Sequence, residues 1–264
     1  MTRLLRAVWR NRSLIGSLVR RDLAGRYRGS FGGPFWALLN PLLLLLTYFF
    51  VFGVVLEARF AGDPSRAGFA LYFVAGMLPW MAFSEAAGRA PTVMLEHRNF
   101  VKKLVFAVET LPVKLVLAGL ATEAVALALF LLALAALRGG LPVSALWLPV
   151  LLVPQALLTA GVSWLLAALG VFIRDLGQAI GFLLTLWFFL TPICYSEASL
   201  PGAARETLSY NPFFGLVRAY RAVLLEGVAP DWWQIGRLTL VSAGVFLAGC
   251  AVFEKLRRSF ADML

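Results

Sequence analysis

The chain has 264 residues, of which 61% are hydrophobic and 14% charged, against about 45–50% apolar and about 25% charged in an average soluble domain. A water-soluble fold of this length cannot bury that surplus, so the composition excludes it and predicts one integral membrane domain. The net charge of +10 does not indicate nucleic acid, because the basic residues flank apolar runs rather than lining one soluble face.

The first 30 residues are Arg-rich and lack the compact apolar stretch of a cleavable signal. Leu4, Leu5, Val8 and Trp9, then Leu14, Ile15, Leu18, Val19 and Leu23, fall on one stripe of a helix with arginines on the other side. Ser13 is the expected N-cap of the second piece. Such a segment lies in the cytoplasmic interface with its arginines toward anionic headgroups; whether it only anchors topology or also docks a partner stays open. Arg20, Arg21, Asp22, Arg26 and Arg28 lead to Gly29, Gly32, Gly33 and Pro34, a corner that turns the chain into the bilayer.

A spanning helix needs about 20 apolar residues. Six segments qualify: 36–56, 69–90, 112–137, 146–173, 177–195 and 235–253, followed by a tail over 254–264. The second is interrupted by Gly76, Pro79, Glu85 and Arg89; Glu85 and Arg89 are spaced to pair on one helix face. The side holding both termini carries most of the 24 basic residues: all those from Arg3 to Arg28, then Arg89, Arg98, Lys102, Lys103, Lys114, Arg174, Lys255, Arg257 and Arg258. By the positive-inside rule, that side is the cytoplasm.

Between the second and third spans, Phe100, Leu104, Val105 and Val108 form an apolar stripe flanked by Arg98, Lys102 and Lys103. It reads as a short amphipathic helix, seated either in a groove of a soluble partner or on lipid. Glu123, near the middle of the third span, costs roughly 2.5–3.5 kcal/mol to insert. It therefore needs a polar neighbour or a polar cavity. Residues 197–234 are too broken to span: Leu200–Pro201 opens one short helix and Asn211–Pro212 separates it from a second. In the second, Phe213, Leu216, Val217, Tyr220 and Leu224 share one face, and Arg218 and Arg221 are expected together on the other. This reads as a re-entrant hairpin, with a surface hairpin as the alternative. Tyr48, Phe52 and Trp187 belong to aromatic clusters suited to sugar faces, although lipid and interface positions use the same residues. Cys194 and Cys250 match no metal or disulfide spacing, and His97 has no partner at ligand spacing. No Gly-rich loop ends in Lys-Ser or Lys-Thr, so no phosphate cradle is expected in this chain.

The stretch "RRDLAGRYRGSFGGPFWALLNPL", with Arg21–Asp22, Arg26–Tyr27, Ser30, Gly33, Trp36 and Pro41, resembles the start of the permease subunits of ATP-binding-cassette exporters of O-antigen, capsule and teichoic acid. The resemblance continues in "RNFVKKLVFAVETLPVK" (98–114), "FIRDLGQAIGFLLTLWFFLTPICY" (172–195) and "YNPFFGLVRAYRAVLLEG" (210–227). It covers essentially the whole chain; Ala107 departs from the family's usual Pro after Phe106. The resemblance implies an all-α, six-span permease with an amino-terminal interface helix and a re-entrant extracellular hairpin between the fifth and sixth spans. It implies a homodimer driven by two copies of a cytoplasmic ATPase, which binds ATP and Mg while this chain binds no cofactor and has no catalytic residue. The cargo would be a polyprenyl-diphosphate-linked polysaccharide, O-antigen first among candidates, crossing the bacterial inner membrane. Arg98, Asn99, Phe100, Lys102, Lys103, Arg174 and Asp175 would couple to the ATPase. Arg21, Asp22, Arg26, Tyr27 and Arg28 would form the cytoplasmic portal, and Asn211, Pro212, Phe213, Arg218, Tyr220 and Arg221 the extracellular gate. Tyr48, Phe52, Glu123 and Trp187 are candidate conduit-lining residues. A secondary carrier or channel without an ATPase, or a membrane-embedded glycan or lipid transferase, are the alternative functions.

Overall fold

The computed structural model describes residues 2–26, 33–36, 39, 42, 43, 46, 47, 49–55, 66–101 and 107–263. Among them every regular element is helical. The expected first span, 36–56, lies largely outside the described residues, as do the side chains of Tyr27, Arg28, Tyr48, Phe52, Lys102 and Lys103.

Two helices come first, α1 (Thr2–Arg10) and α2 (Arg12–Gly25). They part at Asn11, whose side chain bonds back to the Ala7 carbonyl, so the break precedes Ser13 and the expected Ser13 cap is replaced. Among the described residues, four helices are long and apolar enough to cross a membrane: Gly68–Arg89, Thr110–Arg138, Val143–Gly170 and Trp232–Ser259. We label their α-helical parts α3 (Arg66–Arg89), α6 (Thr110–Arg138), α7 (Leu148–Gly170) and α11 (Trp232–Leu256). Short helices α4 (Val93–Glu96) and α5 (Arg98–Val101) lie between α3 and α6. Gly139, at φ 76°, closes α6 in the left-handed region that a side chain disfavours. Asp231 opens α11 by accepting from the Trp233 and Gln234 amides.

The segment whose polar interruptions weakened its sequence signal turns out to be the central one. α3 runs unbroken through Pro79, and Phe69, Phe73, Phe83, Ala86 and Ala87 on it are fully buried. It packs against α6, α7, the helix of the fifth apolar segment and the hairpin, so its small residues serve protein contacts rather than lipid. Close crossings recur where side chains are absent. A Cβ on Gly119 would meet the Ala82 carbonyl at 2.6 Å, and one on Gly249 would meet that of Gly161 at 2.1 Å. Small residues that let backbones approach are how spanning helices gain contact without a hydrophobic drive.

The fifth apolar segment stops early. α8 (Leu176–Leu190) has 15 residues, about 22 Å at 1.5 Å per residue, against a hydrocarbon core of about 30 Å. Thr191 is forced extended ahead of Pro192, and the chain leaves the helix well before residue 195. The segment 191–226 holds α9 (Gly202–Leu208) and α10 (Pro212–Arg221), the latter continuing as a π-turn through Glu226. Asn211 caps α10 through the Phe213 amide, with Pro212 at the first helical position.

Candidate functional site: an ionic latch and a buried hairpin

Asp22 organises one end of the bundle. Its side chain is 7% exposed and accepts both terminal nitrogens of Arg89, at 2.7 and 2.8 Å, a forked pairing that fixes orientation as well as charge. Arg26 donates to the same carboxylate from one turn along α2, at 3.0 and 3.2 Å. Lys114 Nζ, from the first turns of α6, lies 3.3 Å away. Glu85 completes the group through an ion pair with Arg26, and stands 3.9 Å from Arg89. The Glu85–Arg89 pairing expected along one helix is therefore secondary to a partner brought in by α2. Burial opposes ionisation of Asp22, but the bonds from Arg89 and Arg26 and the charges of Arg89 and Lys114 prevail, holding its carboxyl well below the ordinary value. The amino-terminal segment is thus tied to two spans of its own chain.

The latch extends toward the expected coupling segment. His97 donates from Nδ1 to the Val93 carbonyl at 3.0 Å, leaving Nε2 to accept from Lys114 at 3.2 Å. Burial and the Lys114 charge push the imidazole below its ordinary pKa, consistent with the neutral tautomer this geometry needs. The His97 ring lies 6.3 Å from that of Phe100, which is 44% exposed. Arg98 and Asn99 are exposed beside it on α5. Of the predicted amphipathic helix, α5 covers Arg98–Val101 and Val108 lies in a turn, while Leu104 and Val105 lie outside the described residues. Arg174 and Asp175 are exposed in the α7–α8 turn. That turn belongs to the same end of the bundle, because Gly170 is packed so closely that a Cβ would lie 2.0 Å from the Pro91 carbonyl. Arg21 is exposed on α2 and joins none of the ion pairs among the described residues. No cluster of metal-ligating side chains occurs among the described residues.

The hairpin residues are bound inward. Asn211 receives the Trp187 indole N–H at 2.9 Å and donates to Thr191 Oγ1 at 3.0 Å. Trp187 and Phe213 pack edge-on or tilted against Trp80 and Phe83, centroids 4.4–6.1 Å apart. Trp187 also lines an apolar groove of about 320 Å³ with Phe83, Leu166, Ile180 and Leu190. Arg221 departs most from the sequence reading. It was expected beside Arg218 on the polar face, yet it is 2% exposed, whereas the Arg218 side chain is 48% exposed and lies 3.9 Å from Glu197.

The cause of that burial is Pro192. The chain stays non-helical after α8, which leaves carbonyls without helical partners, and the Arg221 guanidinium donates to those of Pro192 at 2.6 Å and Ile193 at 2.9 Å. It also reaches the Tyr72 carbonyl at 3.1 Å and stands 3.4 Å over the Tyr72 ring. Gly76 leaves the room, since a Cβ there would come 2.8 Å from the guanidinium. Sequence reading missed this set, although a helix-ending Pro followed by an Arg within an apolar stretch was the available signal. Glu123 likewise faces protein rather than a cavity: it is 2% exposed and bonded to Gln155 and Tyr220. These contacts are the polar neighbours that its place in the third span called for, and Tyr220, fully buried, is one of them.

The ABC-2 type transporter family matches residues 13–225. The chain is 33% identical over 267 residues to the O-antigen export system permease protein RfbA of Myxococcus xanthus, covering all of both chains. It is 28% identical over 256 residues to the RfbA protein of Klebsiella pneumoniae, with 95% of each chain covered. It is 21% identical over 241 residues to the polysialic acid transport protein KpsM of Escherichia coli, covering 91% of this chain and 92% of that one. A bundle of apolar crossing helices, latched at one end and closed by a packed hairpin at the other, with a family match over most of its length, leaves one assignment: the chain belongs to the ABC-2 type transporter family, as a multi-pass membrane permease subunit.

Proposed function

We propose that this chain is the conducting subunit of an ATP-driven exporter of lipid-linked polysaccharide, O-antigen foremost, in the bacterial inner membrane. The observation that carries the reading is the 33% identity along the whole length of an O-antigen export permease. Two copies form the path, and two cytoplasmic ATPase subunits supply ATP and Mg chemistry. The whole chain acts as one membrane domain with six spans and both termini in the cytoplasm, supported by the clustering of Arg and Lys toward that side. The hairpin of α9 and α10 dips into the outer leaflet. That placement is supported by the short α8 and by the protein cover over its irregular backbone.

Phe100, with Arg98, Asn99, Lys102, Lys103, Arg174 and Asp175, receives the ATPase; the exposure of Phe100, Arg98, Asn99, Arg174 and Asp175 leaves them available to a partner. Asp22 and Arg26, with Arg21, Tyr27 and Arg28, hold the portal. Arg218 takes over the anion-facing role at the gate, since Arg221 is committed to carbonyls. A strain lacking the gene should lose surface glycan and accumulate it, still lipid-linked, inside the cell. Tagged permease should retain an ATPase on purification, and F100A should weaken that retention without loss of insertion. Normal surface glycan in the null strain would refute the export role. Transport by purified permease alone would favour a carrier or channel.

A further inference from the structure

The contact among Glu123, Gln155 and Tyr220 carries a proton count. Gln155 Nε2 lies 2.5 Å from Glu123 Oε2, Tyr220 Oη lies 2.8 Å from Glu123 Oε1, and Tyr220 Oη lies 2.7 Å from Gln155 Oε1. All three separations require a proton between the atoms, the two from Tyr220 at ordinary hydrogen-bond lengths and the one from Gln155 shorter than usual. A hydroxyl has one proton, a primary amide donates only from nitrogen, and an ionised carboxylate donates nothing. With an ionised Glu123, the Tyr220 proton serves one oxygen and the other stands lone pair to lone pair. Turning the Gln155 amide over moves the conflict without removing it: the nitrogen then donates to Tyr220, but the Gln155 oxygen faces a bare carboxylate.

One added proton resolves either orientation. In the first, Glu123 donates to Tyr220, Tyr220 to Gln155, and Gln155 back to Glu123. In the second, the same ring runs in reverse. We propose that Glu123 is held as a neutral carboxylic acid whose proton closes a three-residue hydrogen-bond ring, pinning hairpin helix α10 to spans α6 and α7.

The surroundings agree. The three residues are 2%, 1% and 0% exposed, and no cation pairs with Glu123 among the described residues. Arg221, next along α10, turns away to the Pro192, Ile193 and Tyr72 carbonyls. A neutral ring satisfies every polar atom of these side chains that faces its neighbours, without placing charge in an apolar interior. It also removes Glu123 from service as a transported-proton site while the hairpin is docked.

The purified full-length permease in lipid nanodiscs provides the test. At neutral pH, the infrared spectrum of wild type minus E123Q should show the carbonyl stretch of a carboxylic acid. A carboxylate band in its place would overturn the proposal. E123Q preserves the ring, because its amide donates to Tyr220 and accepts from Gln155; amide exchange along α10 should then match wild type. Y220F opens the ring and should speed that exchange about tenfold, the factor for one net hydrogen bond. Unchanged exchange in Y220F, or exchange as fast in E123Q as in E123L, would refute the ring. Should E123L fail to fold, the infrared band and the Y220F exchange decide alone.

Discussion

D22N removes one charge and keeps the shape of the latch. Asn offers one oxygen to Arg89 where Asp offers two, and presents an amide to donors that need acceptors. Lys114, 5% exposed, then loses its nearest counter-charge, with Glu85 as the remaining carboxylate of the group. Breaking a buried pair from one side costs about 3–5 kcal/mol. The Arg26 and Arg89 side chains are 21% and 35% exposed and regain water, so the low end applies, about 3 kcal/mol. That is on the order of a hundredfold in the ratio of docked to undocked α2. Hydrogen exchange of the α2 amides reads the ratio directly. D22N should lose about two decades of protection across Arg12–Gly25, while the α11 amides stay unchanged. R89Q should lose less, and the double variant should lose little beyond D22N, because both remove the same bonds. Protection in D22N within about threefold of wild type, or additive losses in the double variant, would refute the latch.

Both latch titrations destabilise in acid. Asp22 has a folded pKa below its ordinary value of 3.8, so its contribution is complete above that value and is lost as pH falls through the folded one. His97, also lowered, contributes fully above its ordinary 6.5 and loses that contribution as pH falls toward the folded value. H97N should flatten the upper part of a melting-temperature profile against pH, and an unchanged slope would count against the assignment. R221M strips donors from the Pro192 and Ile193 carbonyls. At about 1–3 kcal/mol for each unsatisfied group, proteolysis between α8 and α9 should accelerate; a wild-type digestion pattern would argue that water reaches these carbonyls. G249A forces backbone atoms apart where α7 crosses α11, at a cost of about 1–3 kcal/mol, so the purified protein should melt earlier than wild type. Because both native cysteines are buried, R12C and S259C should label only after the inner face is opened, and G140C from outside. External labelling of R12C would invert the topology.

Helix length and helix ends were the legible part of the fold. Apolar run lengths located the four long crossing helices, and Asn211–Pro212 marked where α10 begins. The contacts were less legible because they join residues distant in sequence. Spacing along α3 paired Glu85 with Arg89, but α2 delivers Arg26 to Glu85 and Asp22 to Arg89 and Lys114. Spacing along α10 put Arg218 and Arg221 on one polar face; that argument assumes protein on one side only, whereas protein also covers the Arg221 side of α10 and leaves Arg218 exposed. Glu123 was legible as costly, and its need for a polar neighbour was met from α7 and α10. Gly76 weakened the sequence signal of its span for the same reason that it matters: Arg221 occupies the space.

Arg221 also sets a schedule for assembly in the membrane. A ribosome delivers the chain from its amino terminus, and segments fold as they emerge. The acceptors of this guanidinium are the carbonyls of residues 72, 192 and 193, all synthesised before the arginine itself. The hairpin therefore finds its receptor already made, and its cation does not wait in the bilayer for an acceptor still to be translated. α11 comes last, and its Gly249 settles on Gly161 of a helix completed about eighty residues earlier. Late-made parts seat against early-made ones throughout this half of the molecule. A circular permutation that put α10 ahead of α3 would keep every native contact, yet expose Arg221 to lipid during insertion.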